Sequence, residues 1–355
     1  MISPSPRSLL VVRLSSMGDV IHALPAVAAL RRALPETSLG WVVEERWSEL
    51  LCARSYPLDG RLSEQKPLAN RVHWVHTKQW RKNLLASGTW ADMRSSLGQI
   101  RGEHYDAAID FQGAIRSAII AKWSGAKEII GFAAPRETPA RLLHTRSVKG
   151  QGAHVIEQNI ALATELATLD APSESILPRD PEAEAWCDRY CSQIKAGSII
   201  LINPGAGWGA KQWPAERYGY LSRELARDGY TMLINHGPGE EPLARVVETA
   251  SEGAARRLQC SLGELITLSR RAALFVGGDT GPLHLAAALK VPVVAIFGPT
   301  DPARNGPFGT RSVVLRSPVS VTSYKRRAEP DPGLLQISEE QALAAARELL
   351  REKAA

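Results

Sequence analysis

Short apolar runs separated by helical stretches recur along the whole chain, and they fall into two sets. In the first set the runs are residues 8–14 (S-L-L-V-V-R-L), 39–43, 72–75, 105–110 and 128–132. The second set comprises residues 198–202 (S-I-I-L-I), 231–235, 274–276 and 291–297. These runs are continuous rather than alternating, which predicts strands buried on both faces, as in parallel sheets covered by helices. Helices are predicted over 23–34, after Gly113, over 154–169, 182–194 and 261–271, and between the last two runs of the second set. The pattern is therefore two successive βαβ arrays, an α/β chain with two doubly wound parallel sheets. Residues 170–181 (D-A-P-S-E-S-I-L-P-R-D-P) are turn-rich and polar and mark the passage between them. The predicted domains are 1–170 and 171–335, with 336–355 as a C-terminal helix that braces them through apolar Ala342, Leu343, Ala346, Leu349 and Leu350.

The polar residues that follow the strands carry the candidate chemistry, because open α/β sheets bind ligands beyond the carboxyl ends of their strands. The densest stretch is 274–301. There a strand runs into Gly277-Gly278-Asp279-Thr280-Gly281-Pro282, then an Ala/Leu-rich helix with His284 one turn in, then a second strand ending in Gly298-Pro299-Thr300-Asp301. A Gly-rich turn at a helix N-terminus offers backbone N–H groups and a positive dipole end to phosphate. Asp279 and Thr280 can also simply cap that helix. After the strand 198–202 comes a Gly-rich loop with Lys211; Ala210 and Gln212 break the P-loop pattern, which excludes a P-loop NTPase and keeps Lys211 as a phosphate ligand. The strand 231–235 ends near Glu240 and Glu241, either of which can accept from a ribose hydroxyl or start a helix.

In the first array, Ser15-Ser16-Met17-Gly18-Asp19 forms a tight strand-to-helix loop. Asp19 is placed at or near the helix N-terminus, as a cap or as a catalytic carboxylate. Lys78 lies in a basic cluster after the strand 72–75, Arg116 on the helix after Gly113, and Arg136 among cations that continue through Arg141, His144 and Arg146; His154 opens a helix. Cations at strand ends suit an anionic ligand.

Composition narrows the partners. Of 355 residues, 44% are hydrophobic, enough for two cores. No apolar run approaches the roughly 20 residues that span a bilayer, and residues 1–7 lack a signal-peptide stretch, so a cytoplasmic protein is expected. The four cysteines (Cys52, Cys187, Cys191, Cys260) are read as free thiols without a metal site. The formal charge of +6 admits a phosphorylated substrate or an anionic membrane surface; no nucleic-acid motif accompanies it. Neither array holds G-x-G-x-x-G, which disfavours a nicotinamide dehydrogenase.

The succession S-S-M-G-D-V at 15–20, K-Q-W-P at 211–214, H-G-P-G-E-E at 236–241, D-T-G-P-L-H at 279–284 and G-P-T-D at 298–301 resembles glycosyltransferase family 9. With W-V-V-E-E at 41–45 it is most similar to the branch that adds the first heptose to the lipopolysaccharide inner core. The resemblance implies a GT-B fold, two Rossmann-like domains whose sheets face a central cleft, with acceptor on the first and nucleotide sugar on the second. It also implies inversion without metal or cofactor, ADP-heptose as donor, a Kdo-lipid A acceptor, and work at the inner face of the cytoplasmic membrane. Matched position by position, it implies Asp19 as general base and Lys211, Thr280 and Gly281 on the diphosphate. His284 falls in the same donor segment, Asp279 is implied on a heptose hydroxyl, and Glu240 or Glu241 on the ribose. Lys78, Arg116, Arg136 and His154 are implied on the acceptor, Lys78 standing where arginine is usual. Another family 9 transferase, or a non-catalytic sugar-nucleotide-binding protein of the same fold, are the alternatives.

Overall fold

The computed structural model describes residues 5–83, 85–169 and 174–351, and the chain divides into two compact units, Met1–Asp180 and Pro181–Ala355. The first unit holds β1 (Ser8–Val12), β2 (Ser38–Glu44), β3 (Arg71–Val75), β4 (Ala107–Asp110), β5 (Glu128–Phe132) and β6 (Arg146–Val148) in the order β3-β2-β1-β4-β5-β6. Every pairing is parallel, with Leu9 of β1 facing Leu39 on one side and Ala107 on the other. The central strand is sealed on both faces, as its continuous apolar sequence predicts: Leu9, Leu10, Val11 and Val12 are fully buried. Gly40 of β2 is required by packing, since a Cβ there would collide with the hydroxyl of Tyr105. That hydroxyl is in turn hydrogen-bonded to Nε2 of His73 at 2.8 Å.

The second unit repeats the plan. Its strands are β7 (Ile199–Asn203), β8 (Thr231–Asn235), β9 (Ala255–Leu258), β10 (Leu274–Gly278), β11 (Val293–Phe297) and β12 (Ser312–Arg316), ordered β12-β11-β10-β7-β8-β9 and all parallel. In each sheet the first strand sits beside the fourth, so the chain winds outward in both directions from that point and leaves a crevice between the two diverging loops. The first crevice lies between the loops after β1 and β4, the second between those after β7 and β10.

One element boundary differs from the sequence expectation. The helix after β1 begins at Met17 and runs to Ala33, so the S-S-M-G-D segment is its first turn rather than a free loop. The expected domain boundary at 170/171 lies outside the described residues; the compact units divide at Asp180/Pro181. The connection is tied back to the first unit there, Arg179 N–H donating to the Glu64 carbonyl (2.8 Å) and Arg54 N–H to the Asp180 carboxylate (3.2 Å). The C-terminal helix Glu339–Arg351 belongs to the second unit's core, where Ala342, Leu343, Ala346, Leu349 and Leu350 are buried with Val276, Val294 and Ile296. Each buried leucine of that helix contributes about 2 kcal/mol. Among the described residues no helix is long and apolar enough to cross a membrane.

Candidate active site

The parallel sheet of the first unit delivers Asp19, Lys78, Arg116, Arg136 and His154 to segments that follow the carboxyl ends of β1, β3, β4, β5 and β6. Asp19 is the third residue of the helix Met17–Ala33 and is one-third exposed. One carboxylate oxygen accepts from the N–H (2.8 Å) and hydroxyl (3.0 Å) of Ser16; the other meets the guanidinium of Arg13 at 2.6 Å. Arg13 is buried, its orientation fixed by donation to the Phe111 carbonyl on the loop after β4. Burial raises the Asp19 pKa, but the Arg13 charge, the two Ser16 donors and the charge of Arg136 outweigh it and hold the carboxyl below its ordinary value. Asp19 is thus both a capping-box residue and an ionised carboxylate open to solvent at the crevice.

The cations around it are linked to one another. Arg116 donates to the Ser15 hydroxyl (3.1 Å) and the Thr77 hydroxyl (3.5 Å), and Thr77 donates to the Glu44 carboxylate, so the ends of β1, β2 and β3 meet at one guanidinium. Lys78 lies within this field; desolvation and the charges of Arg46, Arg116 and Lys82 lower its pKa against the opposing pull of Glu44. His154 takes a different place. It is buried, its Nδ1 accepts the Ile156 N–H (3.1 Å) at the start of the helix Val155–Ala163, and its ring lies edge-on to His22, 5.6 Å between centroids. Beneath the loop after β4, Asp110 accepts from the N–H groups of Gln112 and Gly113 and from the Ser117 hydroxyl, and pairs with His144 Nε2 at 3.2 Å. Gln112 in turn accepts the Leu14 N–H (2.9 Å) and ties the two sides of the crevice together.

In the second unit, Lys211 and Asp279 come from opposite sides of the crevice and form an ion pair at 2.7 Å. The other oxygen of Asp279 meets His284 Nε2 at 3.0 Å. Burial works against this carboxylate's charge, yet His284 and Lys211 hold its pKa far below the usual range. The Lys211 ammonium also lies 4.6 Å from the centre of the Trp208 ring. Asp279 therefore does not cap the helix Gly281–Ala288, and neither does Thr280. Thr280 occupies the N-cap position without a side-chain capping bond, and its hydroxyl donates to the Gly278 carbonyl (3.2 Å). Lys211 packs closely here because Gly278 has no side chain: a Cβ would lie 3.1 Å from the Lys211 carbonyl oxygen.

Glu240 precedes the helix Glu241–Ala250, accepts the Gly237 N–H at 2.7 Å and lies against Gly205, where a Cβ would strike its carboxylate. Its carboxylate thus faces the loop after β7, while Glu241 opens the helix. At the end of β11, Asp301 caps the short helix Pro302–Asn305, and the buried Thr300 hydroxyl has no hydrogen-bond partner among the described residues. The same holds for the Gln112 amide nitrogen in the first unit. Buried polar atoms of this kind call for a ligand or water to complete them.

Arg13 was not singled out in the sequence, and Thr300 was named only as part of the G-P-T-D turn. Arg13 had a signal: a cation inside an apolar run destined for burial needs a carboxylate, and Asp19 is six residues on. Thr300 had none beyond its place at a strand end.

Two Rossmann-ordered parallel sheets, each with a charged crevice at its switch point, are the architecture of the GT-B fold. The chain belongs to glycosyltransferase family 9 (heptosyltransferase), whose family model matches residues 93–332. Lipopolysaccharide heptosyltransferase 1 of Pseudomonas aeruginosa is 30% identical over 316 residues, covering 87% of this chain and 83% of that protein. The protein of the same name from Escherichia coli K12 is 28% identical over 318 residues, covering 87% and 93%. The solved structure of E. coli heptosyltransferase WaaC with ADP-2-deoxy-2-fluoro heptose superposes with a TM-score of 0.74 at 25% identity, over 98% of this chain and 99% of that one.

Proposed function

We propose that the protein transfers L-glycero-D-manno-heptose from ADP-heptose to the Kdo of the lipopolysaccharide inner core, inverting the anomeric carbon and needing no metal. The acceptor binds the first unit and the donor the second, and the enzyme works at the cytoplasmic face of the inner membrane, where a lipid-borne acceptor resides. The observation that carries this reading is Asp19, a solvent-open carboxylate kept ionised at the first crevice. The lipopolysaccharide heptosyltransferases among its relatives and the ADP-sugar in the WaaC complex support the substrate class.

In the reaction the acceptor hydroxyl oxygen attacks the anomeric carbon opposite the diphosphate. Asp19 takes the hydroxyl proton, the bond from the anomeric carbon to the phosphate oxygen breaks, and ADP leaves with the electron pair. A carboxylate of low pKa serves because the hydroxyl becomes acidic only as the new bond forms. Lys211 and the backbone N–H groups at Gly281 stabilise the departing diphosphate, with Thr280 and His284 lining its site. Asp279 orients Lys211 and receives a heptose hydroxyl, and Glu240, facing the loop after β7, is the ribose ligand rather than Glu241. Lys78, Arg116 and Arg136 hold the acceptor's carboxylate and phosphates, Lys78 as a point charge rather than a fork. His154 shapes the edge of that site.

Calorimetric titration with ADP-heptose, against GDP- and UDP-sugars, followed by transfer to Kdo-lipid A tests this. Selective ADP-heptose binding with transfer is expected. Selective binding of another nucleotide sugar would move the substrate within the family, and no binding by any would remove the function. Protonation of Asp19 stops transfer, and its lowered pKa puts the acid limb of kcat/KM below the ordinary aspartate range. Arg13→Met leaves burial as the dominant influence, so the limb moves to higher pH; Arg13→Lys keeps the charge and moves it less. A limb unmoved in folded Arg13→Met would sink this control.

A further inference from the structure

We propose that the outward face of the helix Ile115–Trp123, together with Leu142, is a docking surface for an anionic lipid bilayer. The helix is built the reverse of a surface helix in a soluble domain. Its inward positions Ser117, Ala118, Ile120 and Ala121 are buried, and only one of them is large and apolar. Its outward positions Ile115, Ile119 and Trp123, spaced four apart and so on one face, are 40%, 48% and 49% exposed. Leu142, on the two-turn 3₁₀ helix Thr138–Leu143 that packs against this helix, is 85% exposed. Scattered exposed apolar residues need no explanation, but three on one helix face, with a fourth on the element packed against that helix, call for a partner.

Charge selects the partner. Lys122 flanks this face, one turn from Ile119, and Arg141 precedes Leu142 in sequence; both are exposed. Residues 114–146 hold six cations against two carboxylates. Both carboxylates are partnered at the surface, Glu137 by the Ile115 N–H (2.8 Å) and Glu128 by Arg146 (3.4 Å). A second copy of the same face would bring like charges together, whereas protein interfaces exclude charge from their centre. Apolar side chains and a tryptophan interleaved with lysine and arginine suit the headgroup region, where the rings and aliphatic chains enter the interface and the cations meet lipid phosphates.

The position suits the reaction. Arg116, adjacent to Ile115 on this helix, reaches back to Ser15 and Thr77 at the first crevice. A bilayer engaging the stripe therefore carries lipid headgroups to the edge that holds Asp19. This link rests on the lipid-borne acceptor proposed above; the docking itself does not.

The test is cosedimentation of the full chain with phosphatidylglycerol–phosphatidylethanolamine vesicles, with phosphatidylcholine vesicles as control. Wild type is expected to bind the anionic vesicles and scarcely the neutral ones. Ile119→Ser with Trp123→Ser should weaken binding about tenfold or more, and Lys122→Glu with Arg141→Glu by about fivefold for each cation lost. Turnover of a delipidated, soluble acceptor should stay unchanged in both, while turnover of vesicle-embedded acceptor falls. The outward positions are 40–49% exposed, and circular dichroism and unchanged ADP-heptose affinity check the fold. Absence of wild-type binding, or undiminished binding by the serine pair, would overturn the docking surface; so would a wild-type dimer that the serine pair converts to a monomer without change in vesicle binding. Stripe-dependent vesicle binding without any heptose transfer would remove the proposed substrate and still support the docking surface.

Discussion

Asp19→Asn is expected to lower kcat about a thousandfold while leaving ADP-heptose affinity within about threefold, the size of effect that loss of a general base produces. The competing account of Asp19 is structural, since it completes a capping box with Ser16. The two roles differ in what they change. A capping interaction is worth about 1 kcal/mol and appears as lowered stability, whereas a thousandfold loss in rate is about 4 kcal/mol of transition-state stabilisation. Asparagine keeps the shape and can still accept the Ser16 N–H through its amide oxygen. It gives up the charge that faces Arg13 at 2.6 Å, and Arg13 retains the Phe111 carbonyl. Folding should therefore survive with a modest fall in melting temperature. Asp19→Glu keeps the charge but displaces it, so partial activity is expected. Steady-state kinetics with a Kdo-bearing acceptor, alongside calorimetry with donor alone, separates the roles. An Asn variant that keeps a tenth or more of wild-type kcat would reduce Asp19 to its capping role.

Much of this arrangement was legible in the sequence because it rests on local chemistry. Central strands such as β1 and β11 are apolar without interruption, and the D-T-G-x-x-H and G-P-T-D turns follow strands directly, so both the double βαβ plan and the sheet edge could be read. Elements on the rim were not. In β9, Arg256 and Arg257 face solvent between buried Ala255 and Leu258, and β6 is R-S-V; edge strands need no apolar run, and charge protects them from pairing. The helix Ser87–Gly102 buries only Ile100, so its periodicity is faint. Gly18 made the start of the first helix look like loop, although Ser16 and Asp19 already had capping-box spacing. Pairings distant in sequence were beyond reach as well. Lys211 and Asp279 are each prominent, but only the adjacency of β7 and β10 brings them together. Nor does periodicity say which face of a helix turns inward: Ile115, Ile119 and Trp123 share one face and are exposed.

The Lys211–Asp279 pair shapes the second large effect. Lys211→Met is expected to lower kcat by about a hundredfold to a thousandfold, the range seen when one group stabilising developing negative charge is removed. ADP-heptose affinity should fall only about tenfold, because the ammonium is already shared. It sits 2.7 Å from the Asp279 carboxylate, which His284 holds at 3.0 Å on its other oxygen. The ground-state diphosphate must compete with that carboxylate for Lys211. As the bond to the anomeric carbon breaks, charge builds on the leaving phosphate and the competition shifts toward it, so Lys211 contributes more to the transition state than to binding. Methionine keeps most of the aliphatic stem but gives up the ammonium and with it the cation–π contact with Trp208. It leaves Asp279 buried with the His284 hydrogen bond but without its cation, so stability should drop as well, and thermal denaturation must accompany the kinetics. Lys211→Arg restores charge with a different geometry and should recover part of the rate. Should Lys211→Met weaken ADP-heptose yet keep wild-type kcat at saturating donor, Lys211 would be a uniform binding contact. The charge of the leaving group would then rest on the N-terminus of the helix Gly281–Ala288, whose cap residue leaves its N–H groups without a side-chain acceptor.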